Sequence, residues 1–318
     1  MKHIFSFLLI CLLPVVLLGQ AVDSARAELR KGNTREAKTI LEEALKKDGK
    51  NAEAHYWLGM ILLRRDMLDA DAAEDHMDEA LELNPNNADY YYGLGAALGT
   101  RAQNANPFKQ AWLAPRIKSS FEKAVALNPR HLQAHSGLAD FYQMAPGIMG
   151  GDNEKAWKET EVMLSLDELV GRSKRAQMFL RDKKVNEAEM EWKTLTTNMP
   201  NEWRGWKRLA YFYLNNNRPD ESIVPFKKYV ELRPDTSDSY DSLAEGYLQK
   251  KEFDSAISNL QKALTIDKEF LASVRRLALA YELKGQKKEA RETYERVLVL
   301  DTNQDSRKKV EQKIRDLQ

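Results

Sequence analysis

Residues 203–236, WRGWKRLAYFYLNNNRPDESIVPFKKYVELRPDT, are followed without a gap by residues 237–270, SDSYDSLAEGYLQKKEFDSAISNLQKALTIDKEF. Set one above the other, they agree in kind at fixed places. A large ring stands at position 4 (Trp206, Tyr240), Leu and a small residue at 7 and 8 (Leu209-Ala210, Leu243-Ala244), Tyr at 11 (Tyr213, Tyr247) and a large residue at 24 (Phe226, Leu260). Apolar residues recur three and four apart in runs of about a dozen, which predicts short amphipathic helices in pairs.

The same register extends in both directions. From Leu169 it gives Ala176, Phe179, Ala188, Trp192, Leu195 and Pro200 at positions 8, 11, 20, 24, 27 and 32, and from Leu271 it gives Leu277, Ala278, Tyr281, Ala290, Tyr294 and Val297. Small residues at 8, 20 and 27 let two helices approach closely while the large ones fill the space beside them. Proline at 32 ends the second helix. Upstream, Ala52, Ala88 and Leu132 open units carrying Leu58-Gly59, Leu94-Gly95 and Leu138-Ala139, with extra residues between their helices, and a degenerate hairpin runs from Val22 to Lys47.

This pattern resembles the tetratricopeptide repeat, a 34-residue helix hairpin, over nearly all of residues 22–304. The resemblance implies an all-α, right-handed superhelical solenoid of about eight hairpins, each an A helix followed by a B helix. Residues 305–318, with Val310, Ile314 and Leu317 on one stripe among charges, are expected to form a C-terminal capping helix. Two insertions, about residues 100–118 and 144–152, are expected to project from one edge as long loops. Asp152 has the place of an N-cap for the helix that follows Gly150-Gly151.

Residues 1–21 have the parts of a secretory signal peptide: Lys2, an apolar run from Ile4 to Leu18, and small residues at Gly19 and Ala21. Cys11 is followed by more of the apolar run, so it lacks a lipoprotein setting. The expected mature chain is thiol-free, periplasmic or secreted, and without an integral membrane segment. Removing Lys2 takes 49 basic and 48 acidic residues to 48 and 48, a balance that gives no field for nucleic acid.

No catalytic signature stands out, so no enzyme activity, cofactor or metal is expected. Gly93 to Gly99 imitates a dinucleotide fingerprint, but it lies within a helical unit with no strand before it. His131 and His135 stand four apart, a spacing compatible with one metal ion, yet His135, like His55, occupies the large-residue position 4.

Function is therefore expected to be binding of a partner protein or peptide. The resemblance implies a concave groove lined by A-helix positions 2, 5, 6, 9 and 13. On this chain these give Lys174 and Gln177, then Arg204, Lys207, Arg208 and Tyr211, then Asp241 and Glu245, then Arg275: bands of alternating charge. Further toward the N-terminus the same face is aromatic, with Tyr56 and Tyr92. The insertion edge offers a second candidate surface at Phe108, Trp112, Ile148 and Asp152. A scaffold or adaptor in the bacterial cell envelope fits these features. A chaperone-like carrier of extended chains, or an envelope enzyme with its site in the insertions, is the alternative.

Overall fold

In a computed structural model that describes residues 20–317, the chain folds as seventeen α-helices and one 3-10 turn, with no strand among the described residues. The helices form eight hairpins. These are α1 (residues 20–31) with α2 (Thr34–Lys47), α3 (Ala52–Leu62) with α4 (Ala70–Leu83), α5 (Ala88–Gln103) with α6 (Pro107–Leu127), and α7 (Leu132–Met144) with α8 (Asn153–Leu166). Then follow α9 (Glu168–Arg181) with α10 (Val185–Asn198), α11 (Trp203–Asn215) with α12 (Pro219–Leu232), α13 (Ser237–Gln249) with α14 (Phe253–Ile266), and α15 (Leu271–Lys284) with α16 (Lys287–Leu300). A last helix, α17 (Gln304–Asp316), closes the chain.

The signal-peptide reading and Cys11 lie outside the described residues, except for residues 20 and 21, which are helical. No described helix is long and apolar enough to cross a membrane.

The chain divides into two compact units, the first ending at Lys174 and the second beginning at Arg175. In each, helices pack on their neighbours in chain order, α2 to α8 and α10 to α17. The packing follows the small-and-large alternation. Ala176, Ala188, Ala210, Ala244, Ala256, Ala263, Ala278 and Ala290 are all fully buried, and the large residues at position 24, Trp192, Phe226, Leu260 and Tyr294, fill the space between hairpins. Burying side chains of that size stabilises by about 1.5–3 kcal/mol each. Val310 is buried against the α14–α16 core, with Ile314 and Leu317 packed beside it, so α17 covers the end of unit 2.

Turns and caps punctuate the helices. In unit 2 the turn between A and B helix places one residue in the left-handed region each time: Lys183, Asn217, Lys251 and Gly285, at φ 59°, 56°, 62° and 83°. They are 34 residues apart, so the sequence period is also a backbone period. In unit 1 the caps are side chains. Asn51, Asp69, Asn106 and Asp152 each accept a bond from the backbone N–H three residues on.

The first insertion is not the projecting loop expected of it. α5 continues to Gln103 and α6 begins at Pro107, so most of residues 100–118 are extra helical turns, with Phe108 and Trp112 on the first part of α6. Pro107 at the start of the helix and the Asn106 cap explain this early beginning. The second insertion holds the 3-10 turn Gly147–Met149, and Gly150 returns the chain at φ 97°.

Gly95 serves packing, as its place in the repeat predicts. A Cβ there, or at Gly137, would come within 2.6 Å of the Phe121 ring, so the two glycines let that ring lie between α5 and α7.

Candidate functional site

Position 4 of the repeat has a role that the sequence does not reveal. The ring N–H of Trp206 donates to the Pro200 carbonyl at 2.8 Å, and Nε2 of His135 and of His55 lie 3.0 Å from the Pro129 and Gly49 carbonyls. In all three units a ring ties the A helix to the backbone six residues before it. Leucine would fill the space but leave that carbonyl without this partner.

This bond also explains His135, and His131 is used differently. Nδ1 of His135 lies 2.5 Å from Glu159 Oε2, and that hydrogen bond raises its pKa above the ordinary histidine range. His131 caps α7, accepting from Ala134 N–H at Nδ1, while its Nε2 meets Asp89 at 3.0 Å. Both rings thus have both nitrogens engaged within the chain. No cluster of three or more metal-ligating side chains occurs among the described residues.

The alternating charge bands mostly neutralise one another across neighbouring A helices. Lys207 on α11 pairs with Asp238 on α13 at 2.6 Å, and Tyr211 donates to Glu245 at 3.2 Å. On α15, Arg276 binds both Asp241 and Glu245, and Ser273 donates to Asp241 at 2.8 Å. Arg275 reaches Asp301 and Ser306. In unit 1, Lys174 on α9 meets Asp140 on α7 at 2.5 Å.

Two of the predicted groove residues are therefore corrected. Lys174 and Asp241 are buried, at 4% and 3% exposure, because the charge they would offer a partner is already matched by the adjacent repeat. Asp241 lies above the usual aspartate range because it is buried, although Arg276 and Ser273 act the other way. Glu245 and Arg275 stay accessible but are engaged in the same pairs.

The basic band at the start of α11 keeps charge in reserve. Arg204 forms a two-point pair with Glu202, at 2.7 Å for each contact. Arg208 is exposed, lies over the Trp192 ring at 5.8 Å and, among the described residues, has no ion pair or hydrogen bond. Desolvation against that wall, followed by the Arg204 charge, lowers its pKa without neutralising it.

Arg208 faces a cavity of about 500 Å³ within unit 2, bounded also by Gln177, Trp203, Tyr211, Asn215 and Asn216. The amides of Gln177 and Asn215 are exposed and have no hydrogen-bond partner among the described residues. Asn215 could have been found from the sequence, since it stands at groove position 13 of its unit. Trp192 could not, because at position 24 it reads as packing, and it does both.

Unit 1 has a cavity of about 510 Å³ between α5, α6 and α7, closed on one side by the Ala145–Met149 segment. Tyr92 lines it but also contacts the rings of Phe121 and His131. Tyr56 is half-buried against Tyr90 and Trp57, so packing uses much of its surface. The edge residues divide. Phe108 and Ile148 are almost fully exposed, Trp112 lies under Arg116, and Asp152 is occupied as a cap.

Sequence profiles described as "Tetratricopeptide repeat" match residues 22–74 and 247–313, near the two ends of the described chain. In these two stretches the chain carries tetratricopeptide repeats. Among solved structures, the chain resembles a thermophilic tetratricopeptide repeat protein of Thermus thermophilus at 20% identity, over 62% of this chain and 99% of that one, with a TM-score of 0.52. It also resembles yeast Tom70 at 16% identity, over 90% of this chain and 59% of that one, with a TM-score of 0.62. At these identities the likeness concerns the fold alone. No curated protein matches the sequence.

Proposed function

We propose that this tetratricopeptide repeat chain is a non-catalytic scaffold that holds an acidic or carboxylate-bearing segment of a partner protein against α9, α10 and α11. Repeats of this kind generally mediate contacts between proteins. The observation that carries the reading is Arg208. It is a cation left over when its neighbours are matched, backed by Trp192 and flanked by the open amides of Gln177 and Asn215. A guanidinium and two amide groups can bind both oxygens of one carboxylate, and the aromatic walls suit an adjoining apolar side chain. The composition of residues 1–21 supports action in the bacterial cell envelope after cleavage of a signal peptide.

The test is a photo-crosslinking residue at Gln177 in intact cells, with and without Arg208→Glu. One dominant captured protein, lost in the variant, is expected. Capture unaffected by Arg208→Glu would overturn the reading. The unit 1 cavity, with Met144 and Met149 at its wall, favours a second reading as a carrier of extended chains, for which a broad mixture of captured proteins is the expected result.

A further inference from the structure

Two hairpins of unit 1 are fastened at the same place by different chemistry. Position 4 of α3 is His55 and the seventh residue of α4 is His76. Position 4 of α7 is His135 and the seventh residue of α8 is Glu159. Each of the two A-helix imidazoles makes the same bond to a backbone carbonyl through Nε2, which places the proton there and leaves Nδ1 as an acceptor in the neutral ring. Nδ1 of His55 then faces Nδ1 of His76 at 2.9 Å, whereas Nδ1 of His135 faces the Glu159 carboxylate at 2.5 Å.

We propose that the α3–α4 hairpin is an acid-opened latch fastened by His55 and His76, and that α7–α8 is its acid-stable counterpart.

The argument is a proton count. In the neutral pair His55 carries its proton on Nε2 and His76 donates its Nδ1 proton to His55. One further proton can enter at Nε2 of His76 without disturbing that bond. The next must go to Nδ1 of His55, where it would meet the His76 N–H at 2.9 Å with two positive rings in contact. Opening the hairpin removes this conflict, because the two rings no longer face one another.

The charged groups facing His76 are Glu42 on α2 and Asp75 and Glu79 on α4 itself, and they favour its protonated form. Burial, then the His55 ring, outweighs them, so His76 lies below the ordinary histidine range. At the other hairpin Glu159 on α8 faces His135, and beyond it lies Tyr142 of α7. There a proton added to the ring completes an ion pair instead of breaking a bond.

The signs are opposite. A histidine held neutral in the closed form contributes stability above the open-form pKa of about 6.5 and loses it as pH falls. A histidine whose closed-form pKa is raised contributes fully below about 6.5 and loses that contribution as pH rises through its closed-form value. For one imidazole held neutral, the opening equilibrium changes about tenfold between pH 7.5 and 5.5. An opened α3–α4 would uncover Met77, which packs against Gly59 and Gly93.

Hydrogen exchange followed by mass spectrometry on the full mature chain, at pH 7.5 and 5.5 and corrected for the intrinsic rate, reads each hairpin separately. Acid should reduce protection of α3 and α4 about tenfold and leave that of α7 and α8 equal or greater. His76→Glu, which copies the second latch into the first, should abolish the acid loss. Glu159→His should transfer it to α7–α8. His76→Gln keeps an amide donor toward His55 without a second titrating ring, so it should also blunt the loss. Equal acid loss in both hairpins of the wild type, or an undiminished loss at α3–α4 in both His76 variants, would overturn the proposal.

Discussion

In unit 2 the left-handed turn residues fall 34 apart and neighbouring A helices are joined by carboxylate–cation pairs. In unit 1 the turns differ in length, and neighbouring A helices meet through the Tyr56–Tyr90 ring contact and the His131–Asp89 bond as well as the Lys174–Asp140 pair. Both are stacks of the same hairpin, so the contrast isolates what regular spacing does. When every repeat has the same length, a charge on one A helix finds its opposite on the next. The charges that remain to meet a partner are then few, and Arg208 is the clearest. Where hairpin lengths vary, as at α5–α6 and α7–α8, the extra helical turns and the 3-10 segment carry Phe108 and Ile148 almost fully into solvent.

The largest test of that contrast removes a position-24 side chain from the regular unit. Phe226→Ala should destabilise by about 3–5 kcal/mol, since the ring is fully buried where α11, α12 and α13 meet. Urea unfolding measures this, and a loss below about 1 kcal/mol would show that the repeat's large position is not what holds unit 2.

Next is the buried carboxylate Glu189, which accepts from Tyr213 and pairs with Arg218 and Lys193. The Arg218 bond, foremost, brings its pKa down to about 2. A depressed carboxylate stabilises above its unfolded pKa of about 4.5, and that stability drains away as pH falls from there toward 2. Glu189→Gln should therefore cost about 2–4 kcal/mol at pH 7 and flatten the acid side of the stability profile. An acid limb as steep in the variant as in the wild type would contradict this assignment.

A smaller, opposite effect is expected at the turns. Lys251 holds a left-handed conformation that glycine adopts without strain, as Gly285 does one repeat later. Lys251→Gly should raise stability by about 0.5–1 kcal/mol in thermal unfolding. The same exchange at Asn217 should gain less, because asparagine tolerates this region better. If Lys251→Gly destabilises, the turn is held by more than its backbone geometry.

The helix pairs and their small-and-large packing were legible because one side chain at each of a few positions, repeated several times, is enough to reveal a period. The turn residues were not, because Lys183, Asn217 and Lys251 do not carry the glycine that marks such a conformation. The binding face was legible in outline and misleading in detail. Groove positions can be numbered from the repeat, but whether a charge there is open or matched depends on the neighbouring helix. Asp241 and Lys174 therefore look like Arg208 in the sequence and differ from it in the fold. The role of His55, His135 and Trp206 was hidden for a similar reason: their carbonyl partners carry no side-chain signal.

The direct test of the account is the affinity of the protein captured at Gln177 for three forms of the mature chain: wild type, Arg208→Ala, and Phe108→Ala with Trp112→Ala. A single partly exposed cation bound to a carboxylate contributes about 1 kcal/mol or somewhat more. Arg208→Ala should thus weaken binding about five- to tenfold at low salt and by less as salt rises, with the edge variant binding like wild type. The opposite pattern, with affinity intact in Arg208→Ala and lost in the edge variant, would place the binding surface on α6 and contradict the assignment to unit 2.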